Sequence, residues 1–303
     1  MPSSACPDPD VSVAPGGPAP GAGWLARLQL QAQREGERTV TRSRHHGPLR
    51  VLRHLYPEGP RIAHEVLVHP PSGLVGGDRL EIGLDLDAGS HVLMSTPGST
   101  RFYRSNGPWA AQRVEARLGE GARLEWLPLE TIAHPGCRAR NEVRVEMAPG
   151  AELFWSEVLC LGLPASRLAF DHGCFEQSLD IVGQWRERAL LDGTDALLLD
   201  SGPGLAGRRC LGTLLMVRAE PWQRTDLTDW CEASHALIET HEARVSPALG
   251  LRAGVTAPGP QVLLLRVLAQ QAEPVQALLR ATWALWRARA WGLTPLPPRT
   301  WSF

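Results

Sequence analysis

Several things are missing from this chain, and each absence narrows what it can be. There is no charge imbalance: charged residues make up 21% and the net charge is −1 at pH 7. That excludes both the basic footprint of a nucleic-acid binder and a polyacidic tail. No stretch approaches the roughly 18 uninterrupted apolar residues of a membrane-spanning helix. The first residues lack the basic start and apolar segment of a secretory signal. The six cysteines, Cys6, Cys137, Cys160, Cys174, Cys210 and Cys231, form no C-x-x-C pair. Free thiols in a reducing cytoplasm are the simplest expectation. Tyrosine is scarce, 2 against 11 tryptophans. Those tryptophans suit either core filling or an interface anchor.

Recognisable catalytic motifs are missing too. No H-E-x-x-H and no G-x-S-x-G occurs, and no Ser, His and Asp group stands out. Carboxylates such as Glu125 and Glu130 have ordinary surface explanations, and an acid pair cannot be read from one sequence. The run Gly202-Pro203-Gly204-Leu205-Ala206-Gly207 fits G-x-G-x-x-G after the strand-like Ala196–Leu199. A dinucleotide loop needs a helix N-terminus to follow, whereas Arg208–Val217 reads as a strand containing Gly212, so a turn is expected. Ser72-Gly73-Leu74-Val75-Gly76-Gly77-Asp78 lacks the Lys-Ser/Thr of a phosphate loop. On spacing it is a tight turn with Asp78 bonded to nearby backbone N–H groups.

What is present is a period of two. Leu80, Ile82, Leu84 and Leu86 alternate with polar residues or glycine, as do Val114, Ala116 and Leu118, then Val143, Val145 and Met147. Each set puts one face on a core. Gly 30 and Pro 26 imply many short elements joined by turns. The segments Leu86–Val92, Leu118–Leu124 and Met147–Leu153 share one plan, a strand end, a glycine turn and a new strand. Their glycines are spaced 121 − 89 = 32 and 150 − 121 = 29. That pattern fits a solenoid of stacked coils or ordinary hairpins in a sandwich.

Two helices are expected late. One covers Thr225–Glu242, with Leu227, Trp230, Ser234, Leu237 and Ile238 near helical spacing. The other opens at Pro274, carries Val275, Leu278, Leu279, Leu285 and Trp286 on one stripe, and stops at Gly292 and Pro295. The fold class is therefore mainly β, with solenoid-like, stacked parallel and antiparallel sheets and a short C-terminal helical segment. Residues 1–23, rich in Pro and Gly, read as a disordered tail. Residues 24–303 read as one domain, with a β body over about 24–220 and helices over about 225–292.

For metals, His45-His46, His134-x-x-Cys137 and His172-x-Cys174 offer nitrogen and sulfur donors. A structural site wants about four ligands in close pairs, so no permanent site is expected.

Several blocks stand in a fixed order along the chain. Gly23–Leu30, Gly47–Val51 and Leu55–Gly59 come first. His69-Pro70-Pro71-Ser72-Gly73-Leu74-Val75-Gly76-Gly77-Asp78 is the most recognisable. Thr96–Ser105, Leu124–Ile132 and Pro297-Pro298-Arg299-Thr300-Trp301 follow. Read as text in that order, the blocks resemble the UreD (UreH) family of urease accessory proteins. Two departures are visible: Leu163–Arg167 replaces a Gly-Arg common in the family, and some members carry Lys at Arg101.

The resemblance implies a non-enzymatic scaffold in urease maturation. It implies binding to the urease apoprotein and to UreF, and through UreF to the GTPase UreG, with a polar internal route for nickel. No tightly bound cofactor and no nucleic-acid or membrane partner is implied, and nickel is held only transiently. Weakly binding, exchangeable oxygen ligands suit such a route better than a closed thiolate cage. Asp78, Glu130, Glu157 and Glu176 are the conduit candidates. Arg101, Tyr103 and Arg104 are candidates for a tunnel wall or an interface. The rival expectations are a carboxylate-based hydrolase and a stand-alone nickel- or zinc-binding protein.

Overall fold

The computed structural model describes residues 23–302. The tail expected over 1–23 and Cys6 lie outside the described residues, apart from Gly23.

Eighteen strands and three α-helices make up the described chain. The first strands are β1 (Leu25–Glu35), β2 (Arg38–His46), β3 (Arg50–Leu55), β4 (Ala63–Val68) and β5 (Gly73–Leu74). Next come β6 (Arg79–Leu86), β7 (His91–Ser95), β8 (Thr100–Phe102), β9 (Ala110–Leu118), β10 (Arg123–Leu127) and β11 (Thr131–Ala133). Then follow β12 (Arg138–Met147), β13 (Glu152–Leu161), β14 (Cys174–Ile181), β15 (Trp185–Asp192), α1 (Ala196–Asp200) and β16 (Cys210–Arg218). Last are α2 (Arg224–Arg244), β17 (Arg252–Gly259), β18 (Val262–Ala269) and α3 (Ala272–Trp291).

The chain winds between two sheets. One has seven strands in the order β15-β14-β12-β9-β6-β1-β2; the other has the main order β17-β18-β16-β13-β10-β7-β4-β3, with β5, β8 and β11 in a side row. Pairing between successive coils is parallel: Leu86 sits opposite Leu118, and Leu118 opposite Met147. Those offsets, 118 − 86 = 32 and 147 − 118 = 29, equal the glycine spacings. Gly89, Gly121 and Gly150 adopt φ of +67°, +62° and +72° at the stacked turns, where an L side chain would be strained. Gly89 N–H donates to Glu120 O at 2.8 Å and Gly121 N–H to Pro149 O at 3.0 Å, so each turn rests on the next. The parallel register makes the body a β-solenoid of stacked coils, not a sandwich of hairpins.

The seven-stranded sheet faces the larger sheet on one side only. Its strands alternate as the period-two reading expected: β12 runs half-buried, buried, half-buried, buried along most of its length. The larger sheet is covered on both faces. Leu153, Trp155, Leu159 and Leu161 of β13 join the core between the sheets. Phe154, Val158 and Cys160 join a second core beneath the helices. Of the expected helical stripe, Val275, Leu278, Leu279 and Trp286 are buried, whereas Leu285 is half-buried and Trp283 takes the inward position instead. Gly212 lets α3 sit close on β16, because a Cβ there would lie 2.4 Å from Val275 Cγ1.

Two local expectations need correction. Ala196–Leu199 belongs to the short helix α1, because the Asp195 side chain accepts a hydrogen bond from Leu198 N–H and caps it. The late segment is not purely helical: the hairpin β17–β18 lies between α2 and α3 and extends the larger sheet beside β16. Its Val262–Ala269 run is apolar on both faces, so a helical stripe could not be told from a doubly buried strand.

Candidate functional site

Between the two sheets the apolar core is broken at one level by two facing rows of polar residues. On the seven-stranded sheet, Gln112 of β9, Asn141 of β12 and Gln177 of β14 are in register on adjacent strands. On the larger sheet, Glu157 of β13 is in register with Thr213 of β16, and Thr213 with Arg266 of β18. Each residue shares the inward parity of its apolar neighbours, such as Val114, Val143, Leu179, Leu159, Leu215 and Leu264.

The rows are joined across the gap. Gln112 Nε2–H donates to Asn141 Oδ1 at 3.3 Å, Asn141 Nδ2–H donates to Glu157 Oε1 at 3.3 Å, and Gln177 Nε2–H donates to Glu157 Oε2. Arg266 donates to Thr213 Oγ1 at 2.5 Å and pairs with Glu187 of β15. This seam borders a cavity of about 300 Å³ whose walls include Gln112, Asn141, Glu157 and Gln177, with His69 and Thr96–Thr100 among its other residues.

Burial pushes the Glu157 carboxyl up to about 7, with nearby Glu187 adding to the rise and Arg266 opposing it. Amide donors from Asn141 and Gln177 and the Trp155 indole lower it only in part, so burial prevails. His69 also lines the cavity; its Nε2 is buried without a partner, and burial holds its pKa below the usual histidine range.

Of the four candidate carboxylates, only Glu157 lines this cavity. Asp78 is buried in the glycine-rich turn, where Oδ1 accepts from Trp24 N–H at 3.1 Å and Oδ2 from Val75 N–H at 2.9 Å. It fastens the start of β1 to the turn before β6, as the tight-turn reading expected. Glu130 lies at the rim of the helical layer and accepts from the Gln276 amide of α3. Glu176 has the opposite strand parity to Phe175 and Gln177, so it lies on the outer face. There Arg140 and Arg188 hold it at 2.9 and 3.0 Å and keep its pKa below the usual carboxylate range against the cost of its partial burial.

Arg101, Tyr103 and Arg104 follow one another along the side row. Arg101 and Arg104 are exposed, and the Tyr103 ring packs on His134 at 4.6 Å. Backbone bonds bring the two His/Cys turns side by side: Gly136 N–H donates to His172 O and Cys174 N–H to Cys137 O. The donor side chains do not converge. Among the described residues no group of three or more His, Cys, Asp or Glu could hold a metal ion. Cys137, Cys160, Cys210 and Cys231 are free thiols, but Cys174 is disulfide-bonded, which corrects the expectation of free thiols at that position. Among the described residues no helix is long and apolar enough to cross a membrane.

Sequence reasoning missed a second polar assembly, on the other face of the larger sheet. Arg287 of α3, with no exposed side-chain area, donates from Nε to Glu125 at 3.1 Å and from Nη1 and Nη2 to Glu58 at 2.8 and 2.9 Å. Glu125 also accepts from His91 Nε2–H at 2.8 Å and Trp283 Nε1–H at 2.7 Å, while His64 Nε2–H donates to Glu58 at 2.7 Å. Burial alone would raise the Glu125 carboxyl; His91, Arg287 and Trp283 outweigh it and hold it low. Arg287 and Glu58 lie 229 residues apart, a separation that no local pattern reports.

Five of the eleven tryptophans, Trp126, Trp155, Trp222, Trp283 and Trp286, fill the cores, and Trp24 is exposed. Trp126 and Trp155 stack with centroids 5.0 Å apart between the sheets, and Trp283 and Trp286 are buried beneath α3.

Comparison with known proteins agrees over the whole described body. The family described as UreD urease accessory protein matches residues 25–302. The urease accessory protein UreD of Leptothrix cholodnii is 50% identical over 281 residues, covering 92% of this chain and 99% of its own. The UreD proteins of Paracidovorax citrulli and Polaromonas naphthalenivorans are 48% and 46% identical over 279 residues, with the same coverage. Coverage of this extent, on a β-solenoid carrying the glycine-rich turn and the C-terminal helix, places the chain in the UreD family of urease accessory proteins, with a role in urease maturation.

Proposed function

We propose that the chain is a non-enzymatic scaffold that binds apo-urease and UreF, and UreG through UreF, and passes nickel toward urease along the seam between its sheets. The observation that carries this reading is Glu157, a carboxylate in the cavity wall with an elevated pKa of about 7 and three side-chain amides beside it. Oxygen ligands of this kind bind a divalent cation weakly and release it, as a carrier requires. A carboxylate that loses its proton near neutral pH gains its charge as the cation arrives, so the seam need not hold a full buried charge when empty.

The test is co-expression of the chain with UreF, UreG and apo-urease, followed by urease activity and nickel content. Glu157→Ala is expected to lower nickel loading about tenfold or more. Glu176→Ala, on the outer face and outside the cavity wall, is expected to leave it within about twofold. Equal loading with and without the chain would reject the scaffold; loading that survives Glu157→Ala would reject the seam as the route.

A further inference from the structure

Cys160 and Cys210 meet in the second core, under the N-terminal end of α3. They are directly opposite each other on the antiparallel strands β13 and β16. Leu161 N–H donates to Arg209 O at 2.7 Å, so the neighbouring position is the hydrogen-bonded one and Cys160/Cys210 is a non-hydrogen-bonded pair. At such a pair the Cα atoms lie about 4.5 Å apart, inside the range a disulfide spans. Cys210 Sγ–H points at Cys160 Sγ at 3.3 Å, so the two sulfurs are in direct contact. Neither sulfur belongs to the seam, and the role proposed above makes no use of them.

We infer that Cys160 and Cys210 form a reversible cross-strand disulfide in exchange with a low-molecular-weight disulfide of the glutathione type. Cys160, the more exposed of the two and the acceptor of the thiol contact, attacks one sulfur of the small disulfide. Its proton leaves and the first small thiol is released, giving a mixed disulfide on Cys160. Cys210 then loses its proton and attacks the Cys160 sulfur, releasing the second small thiol. Two protein thiols are oxidised by two electrons and one small disulfide is reduced to two thiols. The Cys210 contact, burial, and the carboxylates Glu130 and Glu273 all push the Cys160 thiol up, so exchange is slow and depends on local opening of the pair.

The bond would close a loop spanning β14, α1 and β15, the segment that supplies Gln177 and Glu187 to the seam. It would also fix β13 to β16 three residues from the Glu157–Thr213 rung. Oxidation therefore acts as a clamp on the wall of the cavity.

The test equilibrates the full chain in glutathione buffers of rising oxidised fraction, blocks remaining thiols by alkylation, and maps tryptic peptides. The expected product is residues 145–167 cross-linked to residues 210–218, lost again on dithiothreitol. In Cys210→Ser, Cys160 is expected to carry glutathione instead, because no second thiol resolves the mixed disulfide. Cys231, a half-exposed free thiol, reports that the oxidant has acted. If Cys160 and Cys210 are both alkylated after Cys231 is fully converted, or if each carries its own glutathione, the inference is overturned.

Discussion

Two carboxylates on neighbouring strands of one sheet, Glu125 fully buried and Glu157 half-buried, have opposite chemistry. Glu125 of β10 faces the helices and is held low; Glu157 of β13 faces the other sheet and is raised to about 7. Burial raises both. The difference is the directly bonded partner: the Arg287 guanidinium and the His91 imidazole converge on Glu125, whereas Glu157 is bonded to side-chain amides and feels the Arg266 guanidinium without a bond to it. One arrangement is a permanent latch that ties the C-terminal helix to the solenoid. The other leaves charge capacity unspent beside a cavity. Burial alone therefore does not set where a carboxylate titrates; the charge of the groups around it does.

The comparison breaks most visibly at Arg287. Replacing it with Met keeps much of the volume but leaves Glu58 and Glu125 buried without their shared cation. A stability loss of about 3–5 kcal/mol is expected in urea denaturation. A near-neutral result would mean the latch contributes no more than a surface pair.

A smaller effect is expected from pH. Glu157 holds its proton more tightly folded than unfolded, so the folded state binds more protons between about 4.5 and about 7. Its contribution is fully present below the lower value and is lost as pH rises through the upper one. The total loss is about 3 kcal/mol at 1.36 kcal/mol per pKa unit. Glu157→Gln should remove this slope, read as the difference between urea midpoints at pH 5 and pH 8. An unchanged slope would show that Glu157 titrates normally.

The smallest effect sharpens the contrast between seam and turn. Asp78→Asn removes one of two acceptors and leaves a backbone N–H at the β1 junction unpaired. A cost of about 1–2 kcal/mol is expected, with nickel loading of co-expressed urease unchanged. A selective loss of loading at normal stability would move the route toward the glycine-rich turn.

Much of the solenoid was legible because its seven-stranded sheet is solvated on one side. Alternation in β6, β9 and β12 reports one dry face, and the glycine spacing reports the step between coils. The other sheet gave no such signal. β13, Glu-Leu-Phe-Trp-Ser-Glu-Val-Leu-Cys-Leu, is buried on both faces, so parity could not say which core Glu157 or Cys160 enters. Asp78 lay in the most recognisable motif, but a motif tied to backbone N–H groups marks a turn as readily as a ligand.

By itself the sequence determined the coil repeat, the two long helices and the family, because these rest on local spacing and on text read in order. Only the tertiary structure decided which carboxylate lines a cavity, which is locked by an arginine 162 residues away, and which two thiols meet. Those outcomes depend on which layer covers each face of a doubly buried sheet, and residues near in sequence carry no record of that.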